Sequence, residues 1–290
     1  MGGWRPVLAV AAGALLLAGC TGEADNEAEA DGKANGSPGA SPSASPSPSS
    51  TTRSEPYTLA EARAPKTRAE AVAFVRGLDV RPDYFGIGYR KREPFESDPD
   101  MWAVLQEDCL WQREALPENV LASLTRAFEL PEKDGKGSVY VSLTVTVHED
   151  TVAARRDMAE SLESALRCPE QRLNATDMVR GLYSRLDAFA DARNVISDDD
   201  LAESGEWAVD GTSEAHPFDW YKYRLGPVTV AATARHGAGR SAEEDAAITS
   251  GLAGGVTLAA AEIDRTGEAG GTGGTAEAAG SPSRTEGVQR

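Results

Sequence analysis

The feature that most constrains the fold is a run of strict alternation between residues 138 and 148. Apolar residues fill every second position and the positions between them are polar but uncharged, so that Val139, Val141, Leu143, Val145 and Val147 alternate with Tyr140, Ser142, Thr144 and Thr146. Successive side chains of a strand point to opposite faces, so this run predicts a strand with one core face and one polar face. Such a strand suits a half-covered antiparallel sheet.

Two hairpins are predicted from patterns of this kind. Residues 124–130 form the partner strand, which a turn at residues 132–137 joins to the alternating run. The second hairpin pairs Phe218 to Leu225 with Val228 to Arg235 around Gly226-Pro227. Both hairpins join neighbouring segments of the chain, which favours antiparallel pairing.

Helices are predicted between and around the hairpins. Thr67, Asp150 and Ser241 are candidate N-caps, and the first and last have the capping-box spacing, with a glutamate three residues later. The helix after Asp150 runs to about Arg167, and a further short helix is predicted over residues 176–186. Segregated hairpins and helices indicate an α+β domain with a mainly antiparallel sheet flanked by helices.

Composition sets the limits of this single domain at residues 57–264. Residues 20–56 are rich in Pro, Ser, Gly, Asp and Glu and contain almost no apolar bulk, so they cannot offset the entropy of ordering. They are predicted to form a disordered tether. Residues 265–290 have a similar composition and are predicted to form a disordered tail.

The first 19 residues have the pattern of a secretory signal peptide. Arg5 gives a positive start, and the apolar stretch from Val7 to Leu17 is shorter than the roughly 20 residues that span a bilayer. The end of the stretch, Leu17-Ala18-Gly19-Cys20, resembles the lipobox of bacterial lipoprotein precursors, which implies cleavage before Cys20 and lipidation of its thiol. The chain is then expected on the outer face of the cytoplasmic membrane, held there by its lipid. The alternative is cleavage by an ordinary signal peptidase, which leaves Cys20 as a plain thiol.

Two further cysteines, Cys109 and Cys168, remain for the domain. Disulfides persist in extracytoplasmic compartments, and one bridge is the only pairing possible within a monomer. The alternative is a pair of buried thiols. The net charge of −17 disfavours nucleic acid as a partner, because a nucleic-acid-binding protein needs positive charge to neutralise phosphates.

The titratable residues give no catalytic constellation. His148, His216 and His236 lack a second metal ligand at helical spacing and are interpreted as solvated loop residues, and no serine lies in a Gly-x-Ser-x-Gly motif. Asp198-Asp199-Asp200 with Glu203 lacks the pattern of a calcium loop and is interpreted as a helix cap on a solvated face. No catalytic residue, metal or cofactor is therefore predicted.

The late aromatic cluster is the candidate binding surface. Alternation sends Phe218 and Trp220 to one face of their strand, and Tyr221 and Tyr223 to the other. One face can be core while the other is a ligand platform, and Tyr221 and Tyr223 are the predicted platform. The alternative is that helices cover both faces.

The element order and the cysteine placement resemble those of the PknH-like extracellular sensor-domain family. The residues concerned are a cysteine near Trp111, the alternating strand running into the helix that ends at Arg167-Cys168, and the strand Trp220-Tyr221-Lys222-Tyr223. The resemblance covers roughly residues 100–264. It implies an antiparallel sheet flanked by helices, with a cleft for an unidentified ligand. Typical members have two disulfides, whereas this domain can form one, and no kinase domain accompanies it.

These features predict a non-catalytic, ligand-binding or sensor-like lipoprotein of the cell envelope. Its partners would be the membrane, through the lipid anchor, and a small envelope-derived ligand or an envelope protein. Two alternatives of other classes are a cell-envelope hydrolase with a dispersed site and a structural wall-interaction protein. A hydrolase predicts a carboxylate or serine with a perturbed pKa in a cleft, whereas a wall-interaction protein predicts an exposed apolar patch and no cleft.

Overall fold

The computed structural model of the chain describes residues 55–185, 196–212 and 214–270. These residues form an α+β fold with three α-helices, an eight-stranded sheet and a separate two-stranded hairpin. The predicted signal peptide, Cys20, most of the predicted tether and the predicted tail from residue 271 onward lie outside the described residues.

The bounds of the elements follow chain order. The helices are α1 (Arg68–Gly77), α2 (Thr151–Arg167) and α3 (Ala242–Gly270). The strands are β1 (Arg90–Glu96), β2 (Met101–Leu105), β3 (Trp111–Ala115), β4 (Val120–Leu130), β5 (Val139–His148), β6 (Gln171–Arg172), β7 (Asp177–Arg185), β8 (Asp199–Val209), β9 (His216–Leu225) and β10 (Val228–Arg235).

The large sheet is antiparallel throughout and curls into a half-barrel. Its strand order is β1-β4-β5-β10-β9-β8-β7-β6, so the two predicted hairpins, β4–β5 and β9–β10, lie side by side at its centre. The predicted class, a mainly antiparallel sheet flanked by helices, is confirmed. The hairpin β2–β3 forms its own two-stranded sheet.

The main core lies on one face of the sheet, under α1 and α3. The apolar positions of β5 are all buried there, as the alternation predicted, with Val139 and Val147 fully inaccessible. Side chains from β4, β9 and β10 join them, and Val75, Val256 and Ile263 come from the helices. Burial of this continuous apolar layer is the main stabilising contribution to the fold.

The predicted caps start the three helices. Glu70 N donates to Thr67 Oγ1 at 3.2 Å and Thr67 N donates to Glu70 Oε2 at 3.1 Å, which completes a capping box on α1. Ser241 and Glu244 make the same reciprocal pair before α3. Asp150 Oδ1 accepts from the third amide of α2 at 2.7 Å. These bonds satisfy amides that no helical carbonyl can reach.

By length and composition α3 could cross a membrane, since an 18-residue window between Ala242 and Gly267 has a mean hydropathy of 1.4. Half of that window is buried within the domain. Gly251 and Gly255 let the short helix Pro82–Phe85 approach closely, because an added Cβ would lie 2.6 Å from Phe85 O and 2.5 Å from the Phe85 ring, respectively. Packing against the domain therefore buries part of the apolar surface of α3.

Two predicted helices and one predicted boundary are wrong. Residues 177–185 form strand β7 and not a helix, and residues from Asp199 begin strand β8 and not a helix. Helix α3 continues to Gly270, so the predicted tail does not begin at residue 265. In β7 a register shift with Gly181 at φ 59° lets Val179 and Leu182 both be buried three positions apart, which imitates helical spacing.

The beginning and end of the described domain meet. Thr58 N donates to Asp264 Oδ1 at 3.2 Å, and Thr58 Oγ1 donates to Asp198 Oδ2 at 2.9 Å. The same oxygen of Asp198 accepts from the amide of Gly226 in the β9–β10 turn. A Cβ at Gly226 would lie 1.9 Å from Leu59 O, so only glycine allows this approach.

Candidate ligand-binding cleft

A cleft of about 440 Å³ opens on the face of the sheet opposite the main core. Helix α2 forms one wall, the hairpin β2–β3 forms the other, and strands β4, β5, β9 and β10 form the floor. Its volume lies within the range of roughly 300–1,000 Å³ that is usual for small-molecule sites. The cleft is therefore the candidate functional site.

Six hydroxyl side chains line the floor of the cleft. The polar face predicted for β5 contributes Ser142, Thr144 and Thr146, and neighbouring strands add Ser123, Thr229 and Thr233. The register places Ser142 opposite Thr233 and Thr146 opposite Thr229 across the β5–β10 pair. Some of the hydroxyls satisfy one another, because Ser123 Oγ lies 2.9 Å from Thr146 Oγ1. The half-covered face that the alternation predicted thus becomes the floor of the cleft.

Three tryptophans line the cleft. Trp220 projects from β9, and Trp111 of β3 meets it edge to face, with ring centroids 6.4 Å apart and planes at 85°. Trp102 of β2 also lines the cleft. Edge-to-face packing is a favourable geometry for aromatic pairs and fixes the rings relative to each other.

The predicted platform, Tyr221 and Tyr223, lies elsewhere. Both side chains are on the core face of β9, with exposures of 1% and 0%, and neither lines the cleft. The alternation correctly sent Trp220 to the face opposite the tyrosines, but α3 covers the tyrosine face. The aromatic surface that faces the cleft is the tryptophan face.

The predicted disulfide between Cys109 and Cys168 is present, with its Cα atoms 5.6 Å apart. It joins the tip of the hairpin β2–β3 to the C-terminal end of α2, and so links the two walls of the cleft covalently. Arg167 reinforces the link, because its guanidinium donates to the carbonyls of Leu105 and Gln106. The backbone amide of Arg172 donates to Cys109 O at 2.8 Å.

An ion pair lies where the floor meets α2. Lys222 Nζ is 2.8 Å from Asp157 Oδ1 and donates to Ser161 Oγ, also at 2.8 Å. Thr229 Oγ1 donates to Asp157 Oδ2, and His148 Nε2 lies 3.3 Å from the same oxygen. Burial alone would raise the pKa of Asp157, but the Lys222 charge and the His148 hydrogen bond hold that pKa well below its usual range.

Glu203 of β8 is a buried carboxyl beside this cluster. It is fully inaccessible and does not line the cleft, and the register places it opposite Trp220. Ser184 Oγ donates to its Oε1 at 3.3 Å, while its Oε2 has no hydrogen-bond partner among the described residues. Burial raises the pKa of Glu203 to about 7, and the Ser184 hydrogen bond and the Lys222 charge only partly oppose this effect.

The two histidines at strand ends are buried and not solvated, so that interpretation was wrong for both. His148 is 1% exposed and joins the Asp157 cluster. His236 is inaccessible and lies between two carboxylates, with Nδ1 2.8 Å from Asp245 Oδ1 and Nε2 3.2 Å from Asp219 Oδ2. It joins β9 to α3 on the core side of the sheet. His216 is partly exposed, 3.5 Å from Glu214.

Asp219 is the centre of this second polar cluster. It accepts from Ser204 Oγ at 2.8 Å, from Thr249 Oγ1 at 2.6 Å and from Arg185 Nη2 at 3.3 Å. Burial would raise the pKa of Asp219, but the interaction with His236 and the hydrogen bonds from Thr249 and Ser204 lower it to about 2. This cluster lies under α3 and away from the cleft, and its side chains are paired with one another.

The acidic run Asp198-Asp199-Asp200 has a structural role that differs from the predicted helix cap. Asp198 Oδ2 and Asp199 Oδ2 lie 3.1 Å and 2.5 Å from nitrogens of the buried Arg224. These ion pairs join the start of β8 to the end of β9. Within residues 55–185, 196–212 and 214–270, no group of three or more His, Cys, Asp or Glu is placed to hold a metal ion.

Comparison of the chain with protein-family models and with curated proteins finds no match.

Proposed function

We propose that the chain is a lipoprotein of the cell envelope, anchored through Cys20, whose domain is a non-catalytic ligand-binding or sensor-like module. The observation that carries the proposal is the cleft of about 440 Å³, whose two walls are held together by Cys109–Cys168. A bridged cleft is preorganised, so a ligand loses less free energy in ordering the protein. The resemblance to the PknH-like sensor domains is part of the same proposal.

The ion pair in the cleft argues for binding rather than for hydrolysis. Ser161 and Lys222 are in contact, as in a serine–lysine dyad, and this contact favours a cell-envelope hydrolase as the second candidate. Such a dyad needs a neutral amine as its base. Lys222 Nζ instead forms an ion pair with Asp157, whose pKa is lowered. In addition, the Ser161 hydroxyl donates a hydrogen bond to the backbone carbonyl of Asp157 within α2.

The carboxyl whose pKa is raised, that of Glu203, has no access to a ligand. Glu203 has the raised pKa expected of a general acid, but its side chain is inaccessible beneath α2. A hydrolase would lose activity in Ser161→Ala. We expect the parent chain to bind its ligand without turnover, as followed by mass spectrometry of the ligand, and Ser161→Ala to bind the same ligand; turnover by the parent that Ser161→Ala abolishes would favour the hydrolase.

The test of the binding function blocks the cleft without removing a contact. Ala231 lies in the floor, and Ala231→Phe should fill the space above it. The matched control is Ala175→Phe, at an exposed position outside the cleft. The chain carrying Cys20→Ser is purified without its lipid, and its Tm is measured with separated polysaccharide, peptide and lipid fractions of a cell envelope and with CaCl₂.

At least one class should raise the Tm of the parent and of Ala175→Phe, because a ligand of the native state stabilises it by mass action. The same class should leave Ala231→Phe unchanged. No shift with any class, or an equal shift in both variants, would contradict the proposal. The anchor is tested separately, since the native chain should fractionate with membranes and Cys20→Ser should not.

A further inference from the structure

We propose that the cleft binds a neutral saccharide of one or two rings, an inference that rests on the binding function proposed above. A sugar ring presents hydroxyls around its edge and C–H groups on its faces. A complementary site therefore needs hydrogen-bonding groups and aromatic faces next to each other, with no unpaired charge of either sign on the floor. The cleft has this arrangement.

The floor offers hydroxyls that have no partner in the described part of the chain. Ser142 and Thr233 lie opposite each other on β5 and β10, line the cleft, and make no side-chain hydrogen bond there. An alkyl chain laid over them would bury both hydroxyls without hydrogen-bond partners, which is unfavourable. A polyol replaces the lost water with its own hydroxyls, so the floor favours a saccharide over a lipid tail.

The aromatic surface lies directly beside these hydroxyls. Thr233 on β10 is the cross-strand neighbour of Trp220 on β9. A ligand can therefore contact one hydroxyl and one aromatic ring on adjacent strands. The electron-rich face of an indole attracts the slightly positive C–H groups of a sugar ring. Trp111, which packs against Trp220, is held by a 2.7 Å hydrogen bond from its Nε1 to Gln171, and the aromatic corner is therefore fixed before a ligand arrives.

The charges of the cleft favour a neutral ligand. Glu160 and Glu163 line it from α2, and each can accept hydrogen bonds from sugar hydroxyls. Of the two lining cations, Lys222 is paired with Asp157, whereas Arg167 keeps its charge and donates two hydrogen bonds to carbonyls of the hairpin. The lining carboxylates, Asp157, Glu160 and Glu163, outnumber these two cations, so the excess of negative charge disfavours an anionic ligand, in a chain whose net charge is −17.

The experiment uses the Cys20→Ser chain and four probes, measured by isothermal titration calorimetry. Two are neutral disaccharides, cellobiose and N,N′-diacetylchitobiose. The third is glucuronic acid, and the fourth is dodecylphosphocholine below its micelle concentration. Thr233→Val removes one hydroxyl at constant shape, and Trp220→Leu removes the aromatic face. Their matched controls are Thr212→Val and Tyr183→Leu, at exposed positions outside the cleft. Circular dichroism melting confirms that each variant is folded.

At least one neutral disaccharide should bind, with an affinity reduced tenfold or more in Thr233→Val and in Trp220→Leu and unchanged in the controls. Binding of only glucuronic acid or only dodecylphosphocholine, if lost in Ala231→Phe, would overturn the proposal of a neutral saccharide and leave the binding function standing. The same holds if no probe binds while an envelope fraction still shifts the Tm of the parent but not of Ala231→Phe. Failure of every probe and every fraction would overturn both proposals.

Discussion

The indole Nε1 of Trp111 donates a hydrogen bond to the side-chain oxygen of Gln171, 2.7 Å away. Gln171 is itself buried, and its amide donates to Cys168 O at 3.0 Å. One side chain therefore connects the aromatic corner of the cleft with the backbone at the disulfide. The position of Trp111 depends on strand β6 as well as on its own hairpin.

Replacing that side chain should weaken both connections. In Gln171→Leu the indole N–H and the carbonyl of Cys168 lose their partner, so we expect a loss of about 1–3 kcal/mol in the free energy of unfolding and a change in tryptophan fluorescence. Urea denaturation measures the first effect. The control is Gln112→Leu, at an exposed position of β3, which should change stability by less than about 0.5 kcal/mol. Equal effects of the two variants would contradict this role.

Removal of the disulfide should destabilise the domain and loosen the cleft. The bridge closes a loop across a sequence separation of 59, for which loop entropy gives about 4 kcal/mol as an upper figure. Cys109→Ser/Cys168→Ser should therefore unfold at a lower guanidinium concentration and bind any cleft ligand less tightly. Dithiothreitol should reproduce the loss in the parent and have no further effect on the double variant. An unchanged unfolding midpoint would contradict the stabilising role of the bridge.

The buried carboxyl of Glu203 should make stability fall as the pH rises from about 4.5 to 7. Its folded-state pKa is raised from 4.5 to about 7, so between these values the native state holds a proton that the unfolded state has lost. Glu203→Gln should remove this dependence and gain up to about 3 kcal/mol relative to the parent at pH 8. Urea midpoints at half-unit pH steps measure it. The exposed Glu206→Gln is the control, and a parallel pH profile in Glu203→Gln would contradict the assignment.

Asp219 should have the opposite pH dependence. Its pKa of about 2 lies below the unfolded value of about 3.9, so the stability it contributes is complete above pH 4 and is lost as the pH falls towards 2. Asp219→Asn should cost about 3–5 kcal/mol at pH 7, because it weakens the interactions with His236 and Arg185. Asp210→Asn, in an exposed ion pair, should cost less than about 1 kcal/mol. Thermal melts from pH 2 to 7 distinguish the two variants, and similar losses in both would show that the buried network adds little.

Sequence periodicity predicted the centre of the sheet well. The strict alternation of β5 specified a core face and a polar face, and the structure uses the first for packing and the second as the floor of the cleft. The caps at Thr67, Asp150 and Ser241 were equally informative, because a side-chain cap is a local interaction. The elements that local sequence determines, through alternation or a side-chain cap, were therefore predictable.

The parts that depend on distant packing were not. Both faces of β9 carry aromatics, and sequence alone did not tell which face α3 would cover, so Tyr221 and Tyr223 were chosen over Trp220. The available signal was the register of the second hairpin, which places Trp220 beside Thr233 and so on the hydroxyl side. Strands β2 and β3 are short and mostly exposed or half-buried, and consequently gave no clear period.

The hydrogen bond between Thr58 and Asp264 brings together the points where the chain enters and leaves the domain. Tension between the flanking segments would first load the contacts around Thr58, because the cleft walls at residues 101–115 and 151–167 lie within the closed path between those points. A circular permutant that joins these two ends should therefore keep the cleft intact.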